Sequence, residues 1–208
     1  MRNLKFDAAG RASITHNLEQ FTAAPLPARG LKRAAVCLIL TDDGEGGAAL
    51  VMTRRTKNLR AHSGQYALPG GRIDAGETAV DAAMREAREE IGLELSRNSI
   101  LGCLDDYPTR SGYLITPVVA WAPQNAPMSP NPAEVAAIYR VHLADLSRPG
   151  SPQFVSIPES DQPMIRYPML GTLIHAPTAA VIYQFMEVAV AGRATRVAHL
   201  EQPDWAWR

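Results

Sequence analysis

The sequence has no excess of either charge: Lys and Arg together number 21, Asp and Glu together number 21, and the formal net charge is zero. No global field draws the chain to nucleic acid or an anionic membrane, so affinity for a charged partner has to come from local clustering. Cysteine is scarce, with only Cys37 and Cys103. Both lie in apolar surroundings (Ala35-Val36-Cys37-Leu38 and Leu101-Gly102-Cys103-Leu104), which reads as reduced core residues of a cytosolic protein rather than a disulfide. Long apolar runs are also missing. The longest near the start, residues 34–40, is far short of the roughly 20 residues a membrane span needs. The N-terminus has no apolar core of a signal peptide, and Asp7 counters the transit-peptide reading that Arg2, Lys5 and Arg11 invite. The expectation is a cytoplasmic protein with no membrane and no nucleic-acid partner. Internal repeats and low-complexity tracts are absent as well.

Present instead is ordinary globular material: 208 residues, 46% apolar and 20% charged, enough for one catalytic-sized core with extensions. Residues 1–30 read as an N-terminal extension with a short helix near 15–23, ended by Pro25 and Pro27. Residues 31–208 read as one domain. Segments 32–41 and 48–53 form a hairpin across a Gly-rich turn, and 100–107, 113–121 and 135–141 are further strands. Residues 147–168, dense in Pro and Ser, read as an excursion over the surface. Residues 178–190 carry a helical pattern that stops near Gly192. The fold class expected is α/β, a mixed β-sheet covered by helices on both faces.

The strongest local signal is residues 76–93. Thr78 with Asp81 makes a capping-box start and Gly92 a left-handed stop, predicting a helix over 79–91. Its apolar stripe is Val80, Ala83, Met84, Ala87 and Ile91. Glu86, Glu89 and Glu90, three and four residues apart, crowd one sector of its surface. A solvated acidic face moderated by Arg85 and Arg88 is the ordinary reading of such a helix. Here, however, the acids occupy the end of the helix where the dipole disfavours them, so compensating cations are needed, and hard divalent ions bound by carboxylates would supply them. The preceding Leu68-Pro69-Gly70-Gly71 turn lets backbone approach a ligand. Arg85 can pair with Asp81 or Glu89, or reach back to Glu77.

These residues resemble the Nudix hydrolases. The family's box, G-x5-E-x7-R-E-U-x-E-E-x-G-U with U a bulky aliphatic, is matched by Gly71, Glu77, Arg85, Glu86, Ala87, Glu89, Glu90, Gly92 and Leu93. Ala87 alone departs, being smaller than the usual aliphatic, which bears on packing. The resemblance implies an α/β/α sandwich, Mg2+ or Mn2+ held by Glu86, Glu89 and Glu90 with the Gly70 carbonyl as a further ligand, and a structural Glu77–Arg85 pair. It implies a pyrophosphatase acting on a small-molecule nucleotide, with a homodimer as a family expectation. The chemistry agrees: a diphosphate repels hydroxide, and cleavage at neutral pH needs metal to neutralise its oxygens and acidify a bound water. Glu89 is one candidate general base and Glu134, in a later loop, its rival.

Upstream, residues 51–71 resemble the coenzyme A pyrophosphatase branch, L-L-T-x-R-[SA]-x3-R-x3-G-x3-F-P-G-G. Thr53, Arg55, Arg60, Gly64, Pro69, Gly70 and Gly71 match, while Val51, Met52, Thr56 and Leu68 stand in for the other positions. Thr178-Ala179 and the terminal Trp205-Ala206-Trp207-Arg208 are similar to that branch's ending. Arg54, Arg55, Lys57 and Arg60 place four cations in seven residues, suited to a diphosphate plus a separate phosphate. His62 reads as a polar loop residue. The competing specificity is ADP-ribose or another nucleoside diphosphate derivative: Pro108 lies near a proline of ADP-ribose hydrolases, and Tyr107 near a position associated with diadenosine polyphosphates. A non-catalytic nucleotide-sensing module would be expected to lose box glutamates, and none is missing.

Overall fold

The computed structural model describes residues 4–56, 64–158 and 160–203. The chain opens with helix α1 (Ala8–Glu19), started by Asp7, whose carboxylate accepts the Gly10 N–H at 2.7 Å. Strands β1 (Lys32–Asp42) and β2 (Ala48–Arg55) follow, then the short β3 (Tyr66–Ala67) and β4 (Gly70–Arg72) and helix α2 (Ala79–Ile91). After these come β5 (Ile100–Cys103), β6 (Tyr107–Pro108), β7 (Tyr113–Trp121) and β8 (Val135–His142). The short helix α3 (Leu143–Leu146) leads to β9 (Gln153–Ile157), β10 (Ser160–Met169), β11 (Thr172–His175) and α4 (Thr178–Phe185), which continues as a π-helical turn over Met186–Val190.

The sheet is mixed and organised around β1. One edge of β1 runs parallel to β7 from Lys32–Tyr113 to Leu40–Trp121. The other edge is shared, pairing antiparallel with β4 at Ala34–Val36 and with β2 at Leu40–Asp42. This fork leaves the glycines of β4 beside the start of β1. Side chains alternate faces along the strand: Ala35, Cys37 and Ile39 pack under α2, whereas Leu38 and Leu40 join the core beneath α1, α4 and the π turn. The sheet is therefore covered on both faces, as expected. Cys37 is buried, Cys103 half-buried, and both are free.

Several boundaries differ from expectation. The first helix begins at Ala8 rather than near residue 15, because Asp7 supplies the N-cap, and it buries Gly10, Ile14 and Leu18 on one face. After it, Ala24 and Leu26 donate their N–H groups to the carboxylates of Asp105 and Asp106. The strand expected over 100–107 divides into β5 and β6, with a register shift between Ile100 and Gly102. Residues 147–168 are not a surface excursion. They supply β9 and most of β10, which with β11 make a three-stranded antiparallel sheet burying Met164, Ile165 and Tyr167. Proline misled here because Pro163 sits inside the register irregularity between Ser160 and Met164, where its missing N–H is tolerated.

No helix among the described residues is long and apolar enough to cross a membrane. Because Ile14 is fully buried, Ile14→Ala is expected to lower unfolding free energy by about 2–5 kcal/mol, read by urea denaturation. A change below about 0.5 kcal/mol would show that the N-terminal segment lies outside the cooperative core.

Candidate active site

Helix α2 forms as its sequence predicts: Thr78 and Asp81 make a reciprocal capping box, and Gly92 ends the helix at φ +64°. Its packed face is rotated from the expected stripe, burying Ala82, Ala83, Ala87 and Ile91 while Val80 and Met84 are only partly covered. Alanines in place of bulky residues let the helix lie close on Ala35 and Cys37. The same rotation carries Glu90 inside, where it is 3% exposed.

The carboxylates meet the glycine strand there. Gly70 donates its N–H to Glu90 Oε2 at 3.3 Å, so the contact observed at Gly70 is through its amide. A Cβ on Gly70 would strike the Ala35 carbonyl at 2.4 Å, and one on Gly71 would meet Glu86 Oε1 at 2.1 Å. Gly70 therefore requires glycine for close backbone approach rather than for backbone conformation, whereas a side chain at 71 would have to push the Glu86 carboxylate aside. Arg85 binds Glu77 through both nitrogens, Nε to Oε1 at 3.0 Å and Nη2 to Oε2 at 3.1 Å, and donates to Glu86 at 2.7 Å, Glu89 at 3.1 Å and the Arg72 carbonyl at 2.9 Å. Asp81, the other partner open to Arg85, is taken by the cap and by Arg97. Arg55, from the end of β2, stands 3.7 Å from Glu90 Oε1.

Glu134 joins this group from far along the chain. The last carbonyls of α2 are satisfied by the incoming loop, with Ser129 N–H on Ile91 O and Asn131 N–H on Glu90 O. That docking brings the Glu134 charge close enough to act on both Glu86 and Glu90. Burial pushes the Glu90 carboxyl up to about 7, reinforced by Glu86 and Glu134 and opposed by Arg55 and the Gly70 N–H. Burial also raises Glu86, against the pull of Arg85. Glu77 moves the other way, lowered by its hydrogen bonds from Arg85.

A cleft of about 740 Å³ opens beside Gly70 and Gly71, lined by Val36, Arg55, Tyr66, Ile115, residues 172–178 and Val181 among others. Arg72 stands at its rim with Nη2 donating to the Tyr113 hydroxyl at 2.9 Å. Of the four upstream cations, Arg55 lines the cleft and Arg54 is exposed outside it. Lys57, Arg60 and His62 lie outside the described residues, as does the terminal 205–208 segment. Tyr107 is 1% exposed and donates its hydroxyl to Leu200 O at 2.8 Å, so it is a packing residue with no access to a ligand. Residues 172–177 of the cleft carried no expectation, because they fall between the stretch read as a surface excursion, 147–168, and the predicted helix 178–190.

A NUDIX domain model matches residues 30–157, more than half of the chain. This chain belongs to the Nudix family. It is 35% identical over 141 residues to an uncharacterized Nudix hydrolase NudL of Photorhabdus laumondii, covering 66% of this chain and 75% of that protein. To a NudL of Escherichia coli O7:K1 it is 38% identical over 114 residues, covering 54% of this chain and 58% of the relative, so the chain spans little more than half of that protein's length. The fold is similar to a MutT/nudix family protein from Enterococcus faecalis, at TM-score 0.56 and 17% identity over 89% of this chain and 70% of that one. The chain is thus a Nudix pyrophosphohydrolase, and Nudix hydrolases generally use Mg2+ or Mn2+.

The residues present fit such an ion by donor chemistry: hard carboxylate oxygens, those of Glu90 buried, of Glu86 partly covered and of Glu89 exposed, with Glu86 and Glu90 repelling each other beside Gly70. Among the described residues no three acidic, His or Cys side chains converge on one point. Arg85 holds Glu86 and Glu89 while Arg55 faces Glu90, so two guanidinium groups carry the compensating charge.

The raised Glu90 carboxyl has a consequence for stability. An unfolded Glu titrates near ~4.3, so between about pH 4 and 7 the folded, metal-free protein keeps a proton the unfolded chain has released. Stability then falls as pH rises through that window. Metal-free Tm should decline there, Glu90→Gln should flatten that part of the slope, and Mg2+ should raise Tm more near pH 8 than near pH 6, because protons compete for the same oxygens. Identical curves for the two proteins would contradict this origin of the shift.

Proposed function

We propose that this Nudix enzyme hydrolyses the diphosphate of coenzyme A or an acyl-coenzyme A, giving 3′,5′-ADP and (acyl-)4′-phosphopantetheine. The observation that carries the reading is Arg55. It belongs to the upstream signature that resembles the coenzyme A branch, it lines the cleft, and it stands 3.7 Å from Glu90. One side chain thus links the arginine-rich segment to the acidic cluster.

In this account Glu86, Glu89 and Glu90 hold Mg2+ or Mn2+, with the Gly70 carbonyl as a further ligand. The ion supplies charge neutralisation at the phosphate oxygens and acidifies a water. Arg55, beside Glu90 and lining the cleft, is placed to pair with the diphosphate, as guanidinium groups do in bidentate fashion. Arg54, Lys57 and Arg60 add positive charge for the remaining phosphate. Glu77 and Arg85, with Gly71 and Gly92, keep the loop and helix in register. The base that takes the proton from the attacking water is Glu134 or Glu89. Glu134 is favoured because Glu89 is engaged by Arg85. The water oxygen bonds to one phosphorus, the bridging P–O bond breaks, and the departing phosphate keeps the electron pair.

The test is chromatographic separation of products from coenzyme A and, in parallel, ADP-ribose, each with Mg2+. A higher kcat/KM for coenzyme A, with 3′,5′-ADP appearing, is the expected result; preference for ADP-ribose would place the chain in another Nudix specificity. Glu134→Gln should lower kcat by roughly 10²–10⁴-fold if it is the base, with little change in KM. Arg60→Ala should raise KM for coenzyme A more than for ADP-ribose, and equal effects would mean that it reads only the shared diphosphate.

A further inference from the structure

We propose that Arg72, held on Tyr113 at the rim of the cleft, binds a phosphate group that the substrate carries apart from its diphosphate. The inference rests on the coenzyme A reading above and deepens it by naming the contact that distinguishes a substrate with this extra phosphate from one without. The upstream cations then add to the field, and Arg72 makes the contact.

Charge comes first. The described residues that line the cleft include two cations, Arg55 and Arg72, and no carboxylate. Arg55 faces the acidic cluster, 3.7 Å from Glu90. Arg72, by contrast, enters no ion pair among the described residues. Its guanidinium donates from Nε at 3.2 Å and from Nη2 at 2.9 Å to the one hydroxyl of Tyr113, and lies 5.7 Å from the centre of that ring. A phenol orients the group without cancelling its charge, and a single oxygen cannot occupy all five of its N–H donors. The hydroxyls of Thr109 and Ser111 line the same end of the cleft.

Position and rigidity decide what that charge meets. Gly70 pairs with Val36 and Arg72 with Ala34, while Tyr113 pairs with Lys32. Arg72 and Tyr113 thus stand two and four residues from the Gly70 level along β1, on one face of the sheet, or roughly 7 and 13 Å at ordinary strand rise. The hydroxyl of Tyr113 draws the guanidinium away from the acidic cluster. The two phosphates of a diphosphate share one bridging oxygen, so a diphosphate seated at Gly70 does not reach that far, whereas a phosphate carried across a sugar ring stands off from it. Lys32, exposed beside Tyr113 and also in no ion pair among the described residues, adds charge at this end. The grip is built in advance: Arg85 holds the Arg72 carbonyl at 2.9 Å, and Thr109 accepts the Tyr113 N–H at 2.9 Å and donates its own N–H to the Tyr113 carbonyl at 2.7 Å. A guanidinium oriented beforehand loses less freedom when an anion arrives.

The test is calorimetric binding of 3′,5′-ADP and of AMP, which differ only in the separate phosphate, to the full chain with Mg2+, comparing wild type with Arg72→Gln and Tyr113→Phe. Wild type should bind 3′,5′-ADP roughly tenfold more tightly than AMP. Arg72→Gln should bring that ratio to within about twofold by weakening 3′,5′-ADP. Tyr113→Phe, which keeps the charge and the ring and removes only the anchoring hydroxyl, should give a ratio between the two. Arg72 is exposed, so an unchanged Tm is expected for Arg72→Gln. No preference in wild type, a preference unchanged by Arg72→Gln, or an equal loss for both nucleotides overturns the proposal, the last because Arg72 would then hold the shared 5′-phosphate. Binding is read without turnover, so the outcomes separate: coenzyme A hydrolysis with equal affinity for the two nucleotides overturns the Arg72 assignment alone, and an Arg72-dependent preference without that hydrolysis overturns the coenzyme A reading alone.

Discussion

The burial of one carboxylate, Glu90, constrains much of the rest of this molecule. A carboxylate that is 3% exposed is unfavourable unless charge and hydrogen bonds are supplied to it. The Gly70 amide and the Arg55 guanidinium supply part of both, while the alanine face of α2 packed on β1 keeps water out. At Gly70 any side chain would strike the β1 backbone, and at Gly71 it would push the Glu86 carboxylate aside. Even the loop that brings Glu134 is docked through the last carbonyls of the same helix. The fold thus holds these acidic groups in mutual repulsion, Glu86 and Glu134 both raising the Glu90 carboxyl.

Arg85 performs the complementary task. A bidentate bond to Glu77 ties the loop before α2 to the body of the helix, and bonds to Glu86, Glu89 and the Arg72 carbonyl fix the helix against β4. Its bonds decide which carboxylates are engaged: Glu77, Glu86 and Glu89 by Arg85, with Glu90 left to Arg55 and the Gly70 amide.

The box, its capping residues and its glycines were legible because their chemistry is local: Thr78–Asp81, Gly92 and the Glu spacing act within a few residues of one another. The strands 113–121 and 135–141 were legible from β-rich runs for the same reason. The rotation of α2 that buries Glu90 was not, since three alanines carry no directional signal and the close packing they allow depends on Ala35 and Cys37 opposite. Asp7 as a helix cap was overlooked in favour of the prolines downstream. The β9–β11 sheet was hidden by Pro163 and Pro168, which read as loop until a register irregularity accommodates the first and the end of β10 the second. Glu134 was visible as a residue, but its nearness to Glu86 and Glu90 is a tertiary fact made by loop docking. Tyr107 shows the reverse case: a position suggestive in sequence proves to be core.

If the buried Glu90, whose carboxyl is raised to about 7, serves as a metal ligand, it must give up its proton as the ion binds. Calorimetric titration of Mn2+ into metal-free protein at about pH 7, in two buffers of different ionisation enthalpy, reads the protons displaced by the ion directly. Release of a substantial fraction of a proton per Mn2+ is expected, shrinking as pH rises and absent in Glu90→Gln. Mn2+ binding of equal affinity in both proteins, with no proton released, would contradict it.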